Sequence, residues 1–289
     1  MIVSARIVGG AEVDEGPAHA LLPWWSFGKT VLAIAALRLV EQGKLALDEP
    51  VEDKAYTLRQ LLAHRAGVTD YGRLADYHAA VARGETAWPV DELLRRADAN
   101  RLLSEPGQAW SYSNIGYYFV RREIERASDS ELGSALHATV FAPLGVHAFL
   151  MRERDDMQRL AFGNLASYDP NWVYHGLIVG TALDAARLLY RVFTSEFLSA
   201  DSRAAMFQAS APLGALPNRP FVTPTPGTGL MIDPDGPLGR WYGHTGGGPG
   251  SVCAVYHFPD LSPARSVAAF ADEDDEGAIE RVVLEMAAA

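Results

Sequence analysis

Strand-forming segments stand at both ends of this chain and helical periodicity fills its middle, an order that restricts the fold more than any other feature. Residues 1 to 13 carry the β-branched Ile2, Val3, Ile7, Val8 and Val13, broken by Gly9-Gly10, which predicts one or two short strands. Segments 239–245, 250–258 and 265–272 predict three more strands joined by tight turns, followed by a closing helix over Ala278–Met286. Between the two ends, Val90–Ala99, Ile115–Ala127, Glu131–Val140 and Ala182–Phe193 follow helical spacing. Phe27–Gln42 is apolar on nearly all sides, the pattern of a helix enclosed in a core, and Gly43 stops it. Thr57 caps a further helix on which Leu58, Leu61 and Leu62 repeat at helical spacing, with Gly67 past its end. The expectation is an α+β fold: an antiparallel sheet formed by N- and C-terminal segments and flanked by helices, with a largely helical second lobe. One domain over 1–289 would then divide into a sheet lobe (1–50 with 239–289) and a mainly helical lobe (51–238).

Composition narrows the function classes. At 289 residues, 48% hydrophobic, the chain is long enough to bury a core without metal or disulfide staples. The single cysteine, Cys253, excludes an internal disulfide and a Cys-rich metal cluster, and its alternating setting suits a buried strand position. A net charge of −11 argues against a nucleic-acid surface, which needs clustered Lys and Arg. Much of the acidic excess lies in Asp272-Glu273-Asp274-Asp275-Glu276, placed to cap the closing helix through its dipole. The eight histidines include no His-x-x-x-His pair on a helix, so neither metal nor cofactor is expected. Met1–Arg6 does not read as a secretory signal, and the longest apolar run, Val31–Val40, is broken by Arg38 and too short to span a bilayer. A cytoplasmic protein with a small-molecule substrate and no membrane contact is expected.

Three short motifs carry chemistry. Ser26-Phe27-Gly28-Lys29 places a hydroxyl and an amine one helical turn apart at the start of the enclosed helix. A lysine in an apolar pocket loses its charge more readily and can act as a base, and a helix N-terminus offers N–H groups to a developing oxyanion. The same four residues also describe an N-cap serine followed by a solvent-facing lysine. Tyr112-Ser113-Asn114 follows Pro106-Gly107, so in an extended stretch the phenol and the amide share one side. A phenol near an ammonium can titrate low enough to accept a proton, and Asn114 offers both donor and acceptor to a substrate amide. An Asn turn between core aromatics fits those residues as well. His244-Thr245-Gly246-Gly247-Gly248 begins at the end of a strand, where glycines leave the edge open to an incoming chain and Gly247 N–H can serve as an oxyanion donor. A flexible hairpin loop is the other reading.

Taken in order, Ser-x-x-Lys, Tyr-x-Asn and His-Thr-Gly resemble the serine β-lactamase and penicillin-binding superfamily, in the branch of class C β-lactamases, DD-peptidases and related esterases. Val40–Pro50 and Thr57–Val68 match it too, and the likeness runs from about residue 20 to 258. The resemblance implies that Ser26 attacks a carbonyl while Lys29 and Tyr112 move protons. It also implies that Asn114, Thr245, Gly246 and Gly247 contact substrate, with Ser26 and Gly247 supplying oxyanion N–H groups. His244 stands where many β-lactamases of this branch carry lysine, which makes any cationic help to Tyr112 pH-dependent. Only 25 residues precede Ser26, fewer than the family usually has, so the sheet is expected to be smaller or to lack its N-terminal helix.

Other motifs are near misses. Gly28-Lys29-Thr30 ends a phosphate-binding loop, yet Pro23 stands where that loop needs glycine. Ile7-Val8-Gly9-Gly10 resembles the N-terminus of trypsin-like proteases, whose all-β fold the helical middle contradicts, and no Gly-x-Ser-x-Gly elbow exists. His64 is expected to pack within its own helix turn and His175 to line a cleft, while Tyr71, Tyr77, Tyr168, Trp172 and Tyr174 point to an apolar acyl or aryl group. The expected function is hydrolysis of an ester or amide through acyl-Ser26, with a D-amino-acid peptide or β-lactam among the candidates. An acylatable but silent binding or sensor protein is the alternative.

Overall fold

The structure, a computed structural model, describes residues 1–14, 16–17, 19–208 and 210–289. An N-terminal hairpin, β1 (Ile2–Val8) and β2 (Ala11–Asp14), turns at Gly9-Gly10, both at positive φ. Three short strands, β3 (Leu22–Pro23), β4 (Ala148–Met151) and β5 (Leu177–Gly180), form a separate small sheet. Then come β6 (Thr225–Pro226), β7 (Met231–Asp233), β8 (Trp241–Gly248), β9 (Ser251–Phe258) and β10 (Arg265–Ala271). The large sheet runs β2-β1-β10-β9-β8-β7-β6 and is antiparallel throughout, with Ile2 opposite Ala271 and His244 opposite Val255. Helices α1 (Phe27–Glu41), α2 (Leu58–Leu62), α3 (Ala75–Ala82), α4 (Val90–Arg96), α5 (Asn114–Ser128), α6 (Leu132–Leu136), α7 (Ala142–Leu144), α8 (Ala182–Thr194), α9 (Ala200–Met206) and α10 (Glu276–Ala288) complete the chain.

Because side chains alternate across a strand, each strand of the large sheet serves two cores. Trp241, Val252, Ala254, Tyr256 and Val267 face α10 and pack on Ile279 and Val283. Tyr242, Cys253, Val255, Ala268 and Phe270 face the other way, into the main core with α1 and α8. Helix α1 is buried without a break from Phe27 to Leu37, the enclosure its apolar pattern predicts. Each of Leu32, Ile34 and Leu37 is fully buried and contributes about 1.5–3 kcal/mol by its removal from water. The sheet therefore holds α1 rigidly, and α1 carries Ser26 and Lys29.

The structure departs from the sequence expectation in three places. The sheet takes in β6 and β7, so it draws on residues assigned above to the helical lobe (51–238). Of the two N-terminal alternatives, the smaller sheet is not seen, since the hairpin pairs with β10, while among the described residues no helix precedes α1. Glu131–Val140 is not one helix: α6 gives way to a wider turn over His137–Phe141, where the Thr139 hydroxyl donates to Ala135 O (2.6 Å) and Pro143 offers no N–H. Thr57 forms the expected cap, accepting from Gln60 N while the Gln60 side chain accepts from Thr57 N. Among the described residues no helix is long and apolar enough to cross a membrane.

Candidate active site

The chain enters α1 through a constrained turn. Trp25 sits at φ +38, a region that non-glycine residues rarely occupy, and this redirects the backbone from β3 into the helix. Its indole is clamped: Nε1 donates to Ser251 Oγ (2.7 Å) and the ring meets Tyr168 edge-on at 5.6 Å. Ser26 follows at the N-cap position, but its side chain makes no capping bond, and Lys29 one turn on is 0% exposed. The alternative of a capping serine and a solvent-facing lysine therefore fails, and the hydroxyl is left to other partners.

Those partners are the ones the motifs name. Lys29 Nζ lies 3.1 Å from Ser26 Oγ and donates to Asn114 Oδ1 at 2.8 Å, while the Tyr112 hydroxyl donates to Ser26 Oγ at 2.9 Å. His175 brings its Nε2 to 3.5 Å from the same amine. Burial lowers the Lys29 ammonium to about 7, against a smaller opposing pull from Asp70. Burial pushes the Tyr112 phenol above its ordinary range, so the expectation of a phenol titrating low is reversed: Tyr112 is held as a donor, not as a phenolate.

Two positioning residues were not singled out as such by their spacing. Asp70 Oδ1 accepts from both the Asn114 backbone N–H (2.8 Å) and its Nδ2 (3.1 Å), which turns the amide oxygen toward Lys29. His64 does not pack within its own helix turn. It sits at φ +55 after α2, stacks at 4.3 Å on Tyr112, and its Nδ1 accepts from Ser113 N–H at 3.0 Å. Ser113 in turn caps α5 through Gly116 N–H and donates to Thr69 O. Replacing His64 with Phe keeps the stacking surface but strands a buried N–H, and is expected to cost about 1–3 kcal/mol, read from the denaturant midpoint.

Strand β8 forms the opposite wall. It pairs with β7 only from Trp241 to Gly243, so His244 to Gly248 have a strand partner in β9 alone. His244 faces Tyr112 (ring centroids 6.5 Å) and its Nδ1 lies 2.6 Å from Thr245 O, so Nδ1–H donates there and Nε2 remains an acceptor. Burial and the nearby Lys29 lower His244 to about 3. The pH-dependent cation expected at this position is therefore absent near neutrality. Thr245 borders the cleft, but its hydroxyl is engaged elsewhere. Strand alternation sends its side chain toward α10, where the hydroxyl donates to Glu280 and bonds with Tyr256 (2.7 Å). The glycines also have internal reasons: a Cβ on Gly246 would lie 2.5 Å from Ser26 N, and one on Gly248 would enter the Trp25 ring. Gly247 alone opens toward a side chain that could move, Glu276.

Ser26, Tyr112, Asn114, His175, His244, Thr245 and Gly247 all border one cavity of about 820 Å³. Tyr71, Tyr77, Tyr168 and Trp172 line it as the aromatic content predicts, whereas Tyr174 lines a separate pocket behind them. A family model described as Beta-lactamase matches residues 3–269. The chain belongs to the beta-lactamase family.

The chain is 31% identical over 144 residues to Esterase EstB of Burkholderia gladioli, covering 42% of this chain and 36% of that protein. It is 26% identical over 180 residues to Penicillin-binding protein 4* of Bacillus subtilis (strain 168), covering 57% and 38%. It thus spans well under half the length of these curated relatives. Among solved structures, the D-amino acid amidase from Ochrobactrum anthropi SV3 superposes with a TM-score of 0.83 at 21% identity, covering 100% of this chain and 95% of that one, a likeness of fold. The beta-lactamase-like architecture, an antiparallel sheet with helices, is that of the whole described chain.

Proposed function

We propose that this member of the family is a serine hydrolase that cleaves an ester or amide through an acyl-Ser26 intermediate. The observation that carries the reading is Ser26 Oγ held between Lys29 Nζ (3.1 Å) and the Tyr112 hydroxyl (2.9 Å) in the wall of a large cavity. With its ammonium lowered to about 7, a large fraction of Lys29 is the free amine at neutral pH. That amine takes the Ser26 proton as Oγ attacks the substrate carbonyl, and Asn114 Oδ1 and His175 Nε2 hold the ammonium that results. The backbone N–H groups of Ser26 and Gly247 stabilise the oxyanion, and Gly246 keeps β8 close enough for both to reach it.

Collapse of the tetrahedral intermediate needs a proton on the leaving group. Tyr112 donates its own, and the Lys29 ammonium, 4.9 Å from the centre of the same ring, returns a proton to the phenolate. The acyl-enzyme then meets water, and Lys29, again neutral, is the base that activates it. Tyr112 is the weaker choice for that step, because burial opposes its phenolate. Asn114, anchored by Asp70, keeps one Nδ2–H for the substrate, and neutral His244 orders the Tyr112 side of the cleft.

Intact-mass spectrometry after exposure to a fluorophosphonate and to a panel of simple esters, β-lactams and D-amino-acid peptides tests this directly. A single adduct mapped to Ser26, with turnover of at least one ester, supports the enzyme. Labelling elsewhere ends the proposal, and an adduct that persists for hours without turnover assigns the fold a sensor role instead. Acidity gives a second check. The base form of Lys29 grows as pH rises, so log kcat/KM for a neutral ester is expected to climb with unit slope and level off above about 7. His244, lowered to about 3, adds no inflection between pH 5 and 8. A flat profile across neutrality would contradict the role given to Lys29.

A further inference from the structure

Given acylation of Ser26 as proposed above, the charge lining the cavity decides which acyl groups can settle there. Among the described residues the lining holds one cationic side chain, Arg219, and two carboxylates, Asp274 and Glu276. Arg219 spends three of its five N–H donors on carboxylates. Its Nη1 donates to Glu276 Oε2, while Nε and Nη2 donate to the two oxygens of Glu280, which is 0% exposed. One guanidinium against two carboxylates leaves a charge of −1, and a proton on Glu280, which burial favours, leaves zero. Neither state offers a positive charge to a substrate.

On β8 the polar side chains nearest Arg219 are committed as well. The Thr245 hydroxyl donates to Glu280, and neutral His244 gives its Nδ1–H to Thr245 O. Asp274 accepts from Gly250 N–H at 2.8 Å. Glu276, by contrast, keeps Oε1 without a hydrogen bond among the described residues, and a Cβ placed on Gly247 would lie 3.3 Å from that oxygen. Its field reaches the reacting groups, where it opposes ionisation of Tyr112. An acyl group lying along β8 starts beside Gly246, which packs on Ser26, and meets Gly247 one position on. A substituent near the carbonyl of an acyl group passing Gly247 would face Glu276.

We propose that Glu276 selects esters and amides whose acyl part carries an ammonium group on its first or second carbon, and that the cavity discriminates against a carboxylate in that place. The measurement is kcat/KM for β-alanyl p-nitroanilide, its N-acetyl derivative and the succinyl p-nitroanilide whose carboxylate replaces the ammonium on the second carbon, with p-nitrophenyl butyrate as a neutral ester. The β-alanyl amine stays protonated when Lys29 is neutral. The free amine is expected to exceed the acetylated form by about tenfold, as suits one partly exposed ion pair with a charge-assisted hydrogen bond, and the succinyl form is expected to be poorest. Glu276→Gln is expected to collapse the ratio of free to acetylated amine, and Glu276→Lys to favour the succinyl substrate. Arg219 keeps its two bonds to Glu280 in both variants, so the cavity rim retains its support.

Equal kcat/KM for the three anilides, or a ratio unmoved by Glu276→Gln, overturns the charge selection. Hydrolysis of p-nitrophenyl butyrate separates that failure from a deeper one. A wild-type protein that cleaves the butyrate but shows no charge preference loses only this inference, whereas one that never acylates loses the hydrolase reading with it.

Discussion

Ser26→Ala and Lys29→Met are each expected to lower kcat/KM for a chromogenic ester by on the order of 10³-fold or more, and the double variant by no more than either alone. The two groups act as one unit. Without the hydroxyl there is nothing for the amine to deprotonate, and without the amine the hydroxyl, 3.1 Å away, has only a phenol that itself donates to it. Folding should survive both changes. Alanine at 26 removes no capping bond, since the serine makes none, and methionine fills the space of a lysine that is 0% exposed without asking a buried site to hold a charge. Steady-state kinetics with denaturant midpoints on the same samples check the pair. Multiplicative losses, or a Lys29→Met enzyme within tenfold of wild type, would mean that the amine is not the base.

Gly246→Ala is expected to cost roughly 10²-fold or more, although it adds only one methyl. The new Cβ would lie 2.5 Å from Ser26 N, 2.8 Å from Trp25 Cβ and 3.2 Å from Cys253 Sγ. None of these is the free end of a flexible side chain, so β8 must retreat from α1 and carry Gly247 N–H with it. The loss should fall on kcat, because the distance between the two oxyanion donors matters most when charge develops on the carbonyl oxygen. Saturation kinetics check this: a change confined to KM would show that β8 binds substrate without assisting the chemistry.

Much of this arrangement could be read from residue order, and the reasons differ by residue. Ser26 and Lys29 were legible because helical spacing places them one turn apart and a run of apolar neighbours implies enclosure. Tyr112 and Asn114 were legible as a pair on an extended approach to α5. The engagement of the Thr245 hydroxyl by Glu280 was not legible, because a pleated strand sends neighbours to opposite faces and the partner comes from a distant helix. Asp70 and Glu276 act through contacts made only after distant segments meet, Asp70 with Asn114 and Glu276 with Arg219 and Gly247, and no local pattern announces such pairs. The direction of the Tyr112 shift depends on how completely the ring is buried, which sequence does not state. In the fold, β3 to β7 escaped because strands of two to four residues are too short to show alternation.

The clamp on Trp25 links places that look unrelated. Its indole bridges from the turn before Ser26 to Ser251 at the start of β9, in room that Gly248 leaves open. The tip of the β8–β9 hairpin is thereby a lever on the nucleophile. A substitution at Ser251, which does not border the cavity, would reach the turn before the attacking oxygen through the Trp25 indole alone, a handle on rate that touches no substrate.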